Sequence, residues 1–137
     1  MPPGCSIFAR AHCVVIGFDV TYEDSFTELG RMIAYVQRLL VNDCVLVGVG
    51  NKRDLCLERV VNCEAARAFF ESFDPPIPYF ETSAKTGEGV DELLNQIVLL
   101  VLEQRAARAR GNANDNGKDG KKKKDGKKKK DGKCIVC

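Results

Sequence analysis

Apolar positions fall along this chain in two periods. Cys13-Val14-Val15-Ile16-Gly17-Phe18 is a continuous apolar run of strand length, closed by Asp19-Val20-Thr21. The period then lengthens. Phe26, Leu29, Ile33, Val36 and Leu40 recur at spacings of three and four, one stripe of an amphipathic helix. Thr21-x-x-Asp24 supplies a capping-box-like start for it, and Asn42-Asp43 breaks it. A second run, Cys44-Val45-Leu46-Val47-Gly48-Val49, reads as a strand buried on both faces and leads into the polar hexapeptide Gly50-Asn51-Lys52-Arg53-Asp54-Leu55. Asn62 can cap a second helix, with Glu64 in its first turn and Ala66, Phe69, Phe70 and Phe73 on one face. Asp74-Pro75-Pro76 stops that helix. Ile77-Pro78-Tyr79-Phe80 reads as a short third strand, at an edge because of Pro78. A third helix starts near Val90, with Glu88, Asp91 and Glu92 at its amino end. Its apolar face is Val90, Leu93, Leu94, Ile97 and Val101, and Arg105, Arg108, Arg110 and Gly111 suit its carboxyl end.

This order is strand–helix repeated three times. It predicts an α/β fold with a mostly parallel sheet and right-handed helical crossovers. A length of 137 residues leaves room for one domain. Formal net charge is +2, but it is divided unevenly. Residues 1–111 carry 11 Lys/Arg against 15 Asp/Glu, and residues 112–137 carry ten Lys against four Asp. The basic balance therefore belongs to the tail. The expected organisation is an unassigned segment over 1–12, a domain over 13–111 and a polar tail over 112–137. Of the seven cysteines, Cys13, Cys44 and Cys63 sit in or beside apolar segments, which suits buried thiols. No apolar core of signal-peptide length opens the chain, and Ile97–Leu102 is too short to span a bilayer. The expectation is a reducing, cytosolic compartment with free thiols. Pro2 excludes N-myristoylation.

In an open α/β sheet, ligands bind at loops on the carboxyl ends of strands. The hexapeptide lies on such a loop, and Asn51-Lys52-x-Asp54 has the chemistry to grip a guanine. The Asp54 carboxylate can accept from the ring N1–H and the 2-amino group. Adenine offers neither donor, and a site built this way rejects it because its own polar group would stay unpaired. Asn51 can bond the base on its other edge or tie the loop together. The stem of Lys52 can lie against a ring while its ammonium stays solvated. On the next strand-end loop stands Glu81-Thr82-Ser83-Ala84-Lys85.

These two stretches, in this order, resemble the nucleotide-binding boxes of the Ras superfamily of small GTPases. Asn51-Lys52-Arg53-Asp54 is similar to the family's guanine-specificity box, and Glu81–Lys85 to its last box. The resemblance covers residues 13–105 and corresponds to the family's carboxyl-terminal half. Phe18-Asp19-Val20-Thr21 with Asp24-Ser25-Phe26 is similar to its fourth strand and following helix, and Tyr79–Lys85 looks more like Ras and Rab than Rho or Arf. The resemblance implies a partial Ras-like P-loop NTPase fold and a guanine site made of Asn51, Lys52, Asp54, Ser83, Ala84 and Lys85. Backbone N–H groups of the second loop would hold the 6-oxo group, with Lys85 beside the base. It further implies GTP/GDP as ligand, with Mg²⁺ only for the complete family protein, and a switch recruiting effectors in signalling or vesicle traffic.

The sequence departs from the family at the phosphates. It contains no Gly-x-x-x-x-Gly-Lys-[Ser/Thr] and no Asp-x-x-Gly. Phosphoryl transfer depends on positioning and electrostatics from those elements. No catalytic residue and no metal ligand is therefore assigned, and the chain is expected to be inactive by itself. Two readings follow: a piece of a complete GTPase, or a non-catalytic, membrane-tethered interaction module degenerated from one.

The tail repeats Lys-Lys-Lys-Lys-Asp-Gly at 121–126 and 127–132 and has no apolar residue from Asn114 onward except 134–137 at its end; it is expected to be disordered. It ends Cys134-Ile135-Val136-Cys137, a prenylation pattern with Cys134 as the lipidated thiol; the terminal Cys leaves the prenyl type open. A lipid plus a polybasic run is the two-signal arrangement for stable anchoring at the cytoplasmic face of an anionic membrane. A zinc site would need further closely spaced ligands. No aromatic residues interleave with the lysines, so no nucleic-acid partner is expected. Finally, Cys13–Phe18 is expected to form an exposed, apolar sheet edge, the profile of an aggregation site.

Overall fold

The computed structural model describes residues 8, 10–40 and 44–112. Among them a three-stranded parallel sheet runs in the order β1 (Cys13–Asp19), β2 (Val45–Asn51), β3 (Tyr79–Glu81). Helices α1 (Glu23–Thr27) and α2 (Leu29–Leu39) join β1 to β2. A 3₁₀ turn (Cys56–Glu58) and α3 (Cys63–Glu71) join β2 to β3, and α4 (Val90–Asn112) follows. The register pairs Cys13 with Val45 and continues unbroken to Asp19 with Asn51. On the other side Gly48, Gly50 and the residue between them pair with Tyr79, Glu81 and Phe80. The parallel sheet is the one expected from the strand–helix alternation, and Asp19, Asn51 and Glu81 all end at the same edge of it.

Side chains alternate across the strands, so each face builds its own core. On one face Ile16, Phe18 and Val20 pack with Leu29, Ile33 and Val36 of α2 and with Ala66 and Phe70 of α3. The rings of Phe18, Phe70 and Tyr79 stack, with 5.1 Å between the centroids of Phe70 and Tyr79. Phe70 lies directly over Gly48, where any Cβ would enter its ring. On the other face Val47 and Val49 meet Leu93, Ile97 and Leu100 of α4, with Cys13, Val45 and Phe80 around them.

Several local expectations shift. Thr21 does not cap a helix. Its hydroxyl donates to Asp19 Oδ1 at 2.7 Å, a charged acceptor that outcompetes a helix N–H. Helix α1 instead starts after Tyr22 with no side-chain cap, and the predicted single helix is interrupted at Glu28. The Asn62 cap forms as expected, accepting from Glu64 N at 2.7 Å and Ala65 N at 3.4 Å. Strand pairing begins at Tyr79 and not Ile77. Ile77 is buried against the core with its N–H donating to Phe70 O. Pro78 contributes only its carbonyl, which accepts from Gly48 N at 2.8 Å. Leu94 is not on the packed face of α4; it is 55% exposed, and Val98, Leu99 and Leu102 are similarly open. Helix α4 runs through Gly111 instead of stopping there. The Asn42-Asp43 break, the segment before Phe8, the lysine repeats and Cys134 lie outside the described residues.

Candidate functional site

Strand β2 ends at Asn51, and the chain turns at Lys52 with φ +65°, a left-handed conformation uncommon for a non-glycine residue. The turn closes through Leu55 N donating to Lys52 O at 3.0 Å. The loop after β3 runs alongside. Thr82 N donates to Gly50 O at 2.9 Å, and Arg53 N donates to Thr82 O at 3.1 Å, so the ladder between β2 and β3 continues past the strands. Side chains complete the lacing. Asn51 Oδ1 accepts from Ala84 N at 3.0 Å. Ser83 Oγ donates to Asp54 Oδ1 at 2.6 Å and accepts from Thr86 N at 3.1 Å.

The structure thus brings Asn51, Asp54, Ser83 and Ala84 into direct contact, with Lys52 and Lys85 exposed on the same two loops. Of the two roles open to Asn51, it takes the tying one, and it engages the Ala84 amide. Ser83 is fully buried; it is a strut between the loops. Asp54 is half-buried, and a carboxylate holding one hydroxyl retains acceptor capacity for further donors. That acceptor capacity is complementary to the N1–H and 2-amino donors on the edge of a guanine. The Lys52 ammonium is not simply solvated: it meets Asp19 Oδ2 at 2.6 Å. Arg53 is buried, with its guanidinium 3.3 Å from Glu88 Oε1.

A second charged cluster supports the loop after β3. Arg59 reaches both Glu81 oxygens, at 2.9 and 2.7 Å, and Tyr79 Oη donates to Glu81 Oε1 at 2.8 Å. Burial alone would raise the Glu81 carboxyl, but hydrogen bonds from Arg59 and Tyr79 outweigh it and hold the pKa below the usual carboxylate range. Burial, with the Glu81 charge beside it, pushes the Tyr79 phenol well above its ordinary value. At Asp19 burial is likewise outweighed, by hydrogen bonds from Lys52 and Thr21, and the carboxyl is lowered. Sequence reasoning named neither Asp19 nor Arg59 as part of the site. The one signal available was position: Asp19 closes the first apolar run as Asn51 closes the second. Among the described residues no group of three or more His, Cys, Asp or Glu could hold a metal ion, and no helix is long and apolar enough to cross a membrane.

Known proteins share this arrangement of sequence. A model of the Ras family matches residues 5–103. Ras-related protein RABD2a of Arabidopsis thaliana is 32% identical over 107 residues, covering 78% of this chain and 52% of that protein. Ras-related protein Rab-21 of Mus musculus is 34% identical over 102 residues, covering 73% of this chain and 45% of that protein. The human Rab-21 is 30% identical over 106 residues. The chain spans about half the length of the curated relatives it matches.

Proposed function

Because the chain belongs to the Ras family, as a Rab-related small GTPase sequence, we propose that its two laced loops are the guanine-recognition part of a GTP/GDP switch. Asp54 accepts from N1–H and the 2-amino group. Ser83 orients Asp54. Asn51 fixes the second loop, and the stems of Lys52 and Lys85 flank the base. The observation that carries this reading is the 2.6 Å bond between Ser83 and Asp54, 29 residues apart in sequence, which aims a half-buried carboxylate from one loop using the other. No residue is given a role in phosphoryl transfer. The test is base choice. Asp54→Asn replaces an acceptor by a donor, so guanine should weaken by about 10- to 100-fold. Xanthine, whose 2-oxo group needs a donor, should gain. Competition between GDP and xanthosine diphosphate, in this chain or in a longer protein carrying it, reads both. An unchanged preference removes Asp54 from the site.

The wider reading is a membrane-anchored switch in signalling or vesicle traffic. It rests on Cys134 as a prenylated thiol and on the ten lysines before it. Cys134→Ser should leave the protein in the soluble fraction of cells, while replacing the lysines by Gln should loosen the membrane pool without stopping lipid attachment. Membrane association that survives Cys134→Ser would overturn the lipid anchor.

A further inference from the structure

We propose that Asp19, which lies outside both loops, is a positioning residue of the base site: its carboxylate holds the Lys52 ammonium and so fixes the turn that carries Asn51 and Asp54. The proposal rests on the base-recognition reading above. Asp19 pairs with Asn51 across β1 and β2, so its side chain leaves the sheet beside the turn. Asp19 is also held in place before it meets the lysine. Oδ1 accepts from Thr21 N at 2.9 Å and Thr21 Oγ1 at 2.7 Å, which leaves Oδ2 for Lys52 Nζ at 2.6 Å. The backbone N–H of Asp19 donates to Ser25 Oγ at 3.1 Å, and Ser25 Oγ donates to Tyr22 O at 2.6 Å. Strand, turn and helix start are one unit around this carboxylate.

Most exposed ion pairs contribute little because both side chains must be ordered to form them. Here one partner is already ordered, so only Lys52 loses freedom. What Lys52 gains is a fixed direction for a residue whose backbone stands at φ +65°, a conformation that persists in a non-glycine residue only where its surroundings determine it. The neighbours of Lys52 explain why this matters. Asn51 bonds Ala84, and Asp54 bonds Ser83. The residue between those two anchors sets how both are presented. The Asn51 carbonyl also accepts from Val20 N at 3.1 Å, so a disturbance at Asp19 reaches the turn through backbone and side chain together.

A rival role for Asp19 is to close the turn after β1 through Thr21 alone, with the lysine incidental. A double-mutant cycle separates the two. Asp19→Asn keeps an Oδ1 acceptor for Thr21 but faces the ammonium with an amide. Lys52→Gly accepts φ +65° without a side chain. In NMR titrations of the 137-residue chain carrying Val15→Lys, a charge that keeps its open first strand from pairing with a second copy, Asp19→Asn should weaken GDP by about 3- to 10-fold at low salt and by less at high salt. It should have no further effect in the Lys52→Gly background. An Asp19→Asn loss that is undiminished beside Lys52→Gly overturns the proposal. The same cycle can be read without ligand, from hydrogen exchange at the Ala84 amide. Exchange should quicken in Asp19→Asn and not quicken further in the double variant; unchanged protection in Asp19→Asn also overturns it. Failure of the base reading looks different: Asp54→Asn would then leave base preference untouched, while the Ala84 exchange cycle would still judge the clamp.

Discussion

Glu81 shows what a single residue does for the second loop. Its carboxylate sits in a largely buried position with Arg59 on both oxygens and Tyr79 on one. Removing one partner of such a pair leaves an uncompensated charge, which costs more than the pair itself contributes. Its pKa is lowered in the folded chain, so the sign of the pH effect is set. The stability it supplies is fully present above the ordinary carboxylate pKa, roughly 4.3. It is lost as pH falls through the lower folded value. Asp19, also lowered, adds a slope of the same sign. The melting temperature should be nearly flat from about pH 7 to 5 and fall below about pH 4. Glu81→Gln should make that acid slope shallower. Equal slopes in the two proteins would show that Glu81 titrates unperturbed.

At the scale of the element, β2 shows why a strand can carry glycines at its centre. Gly48 lies beneath the fully buried Phe70 ring, with an added Cβ 2.5 Å from Cζ and 2.8 Å from Cδ1. The ring is fully buried and β2 is the central strand, so a shift of either disturbs packed neighbours. Gly48→Ala should destabilise the chain by about 1–3 kcal/mol through overpacking, read by chemical denaturation. A combined Gly48→Ala and Phe70→Leu variant should lose less than the sum of the two changes. Strict additivity would mean that the strand shifts away from the ring. The apolar runs of β1 and β2, the stripe of α2 and the Asn62 cap were legible because each is a local signal. So were the two loops, whose residues cluster in sequence. The start of β3 was not: Ile77 is apolar enough for a strand but spends its N–H on Phe70 O. Leu94 belongs to a second apolar stripe of α4, with Val98 and Leu102, and periodicity does not say which stripe meets the sheet. Asp19 to Lys52 and Arg59 to Glu81 cross from one element to another, so they depend on register and crossover path, which no window of sequence contains.

Taken over all the described residues, the sheet has an open side. Among the described residues β1 has a neighbour only in β2. Its other edge therefore presents unpaired N–H and C=O groups, with Val15 47% exposed beside them. Leu94, Val98, Leu99 and Leu102 add apolar surface on α4. The Cys13–Phe18 stretch of that edge, uncharged, rich in β-branched residues and without Pro, is a template for pairing with another chain. Purified residues 1–137 should therefore self-associate or melt at low temperature, and, having no Gly-x-x-x-x-Gly-Lys-[Ser/Thr] run to hold the phosphates, should not release phosphate from GTP. Val15→Lys, a charge on the open strand, should raise the monomer fraction. Light scattering, thermal melting and phosphate release test these points together. A cooperative melt of a monomer with Mg²⁺-dependent turnover would contradict all of them.

The lacing of the two loops also bears on time. Gly50, Asn51, Arg53 and Asp54 are bonded to Thr82, Ser83 and Ala84 through the chain's own groups alone. Loops tied by such bonds need no bound group to assemble them, so an encounter with a ligand need not wait for a folding step. Under the base-recognition reading, guanine and its competitors would enter at similar speeds, and selectivity would lie in residence time: the right base stays and the wrong one leaves sooner.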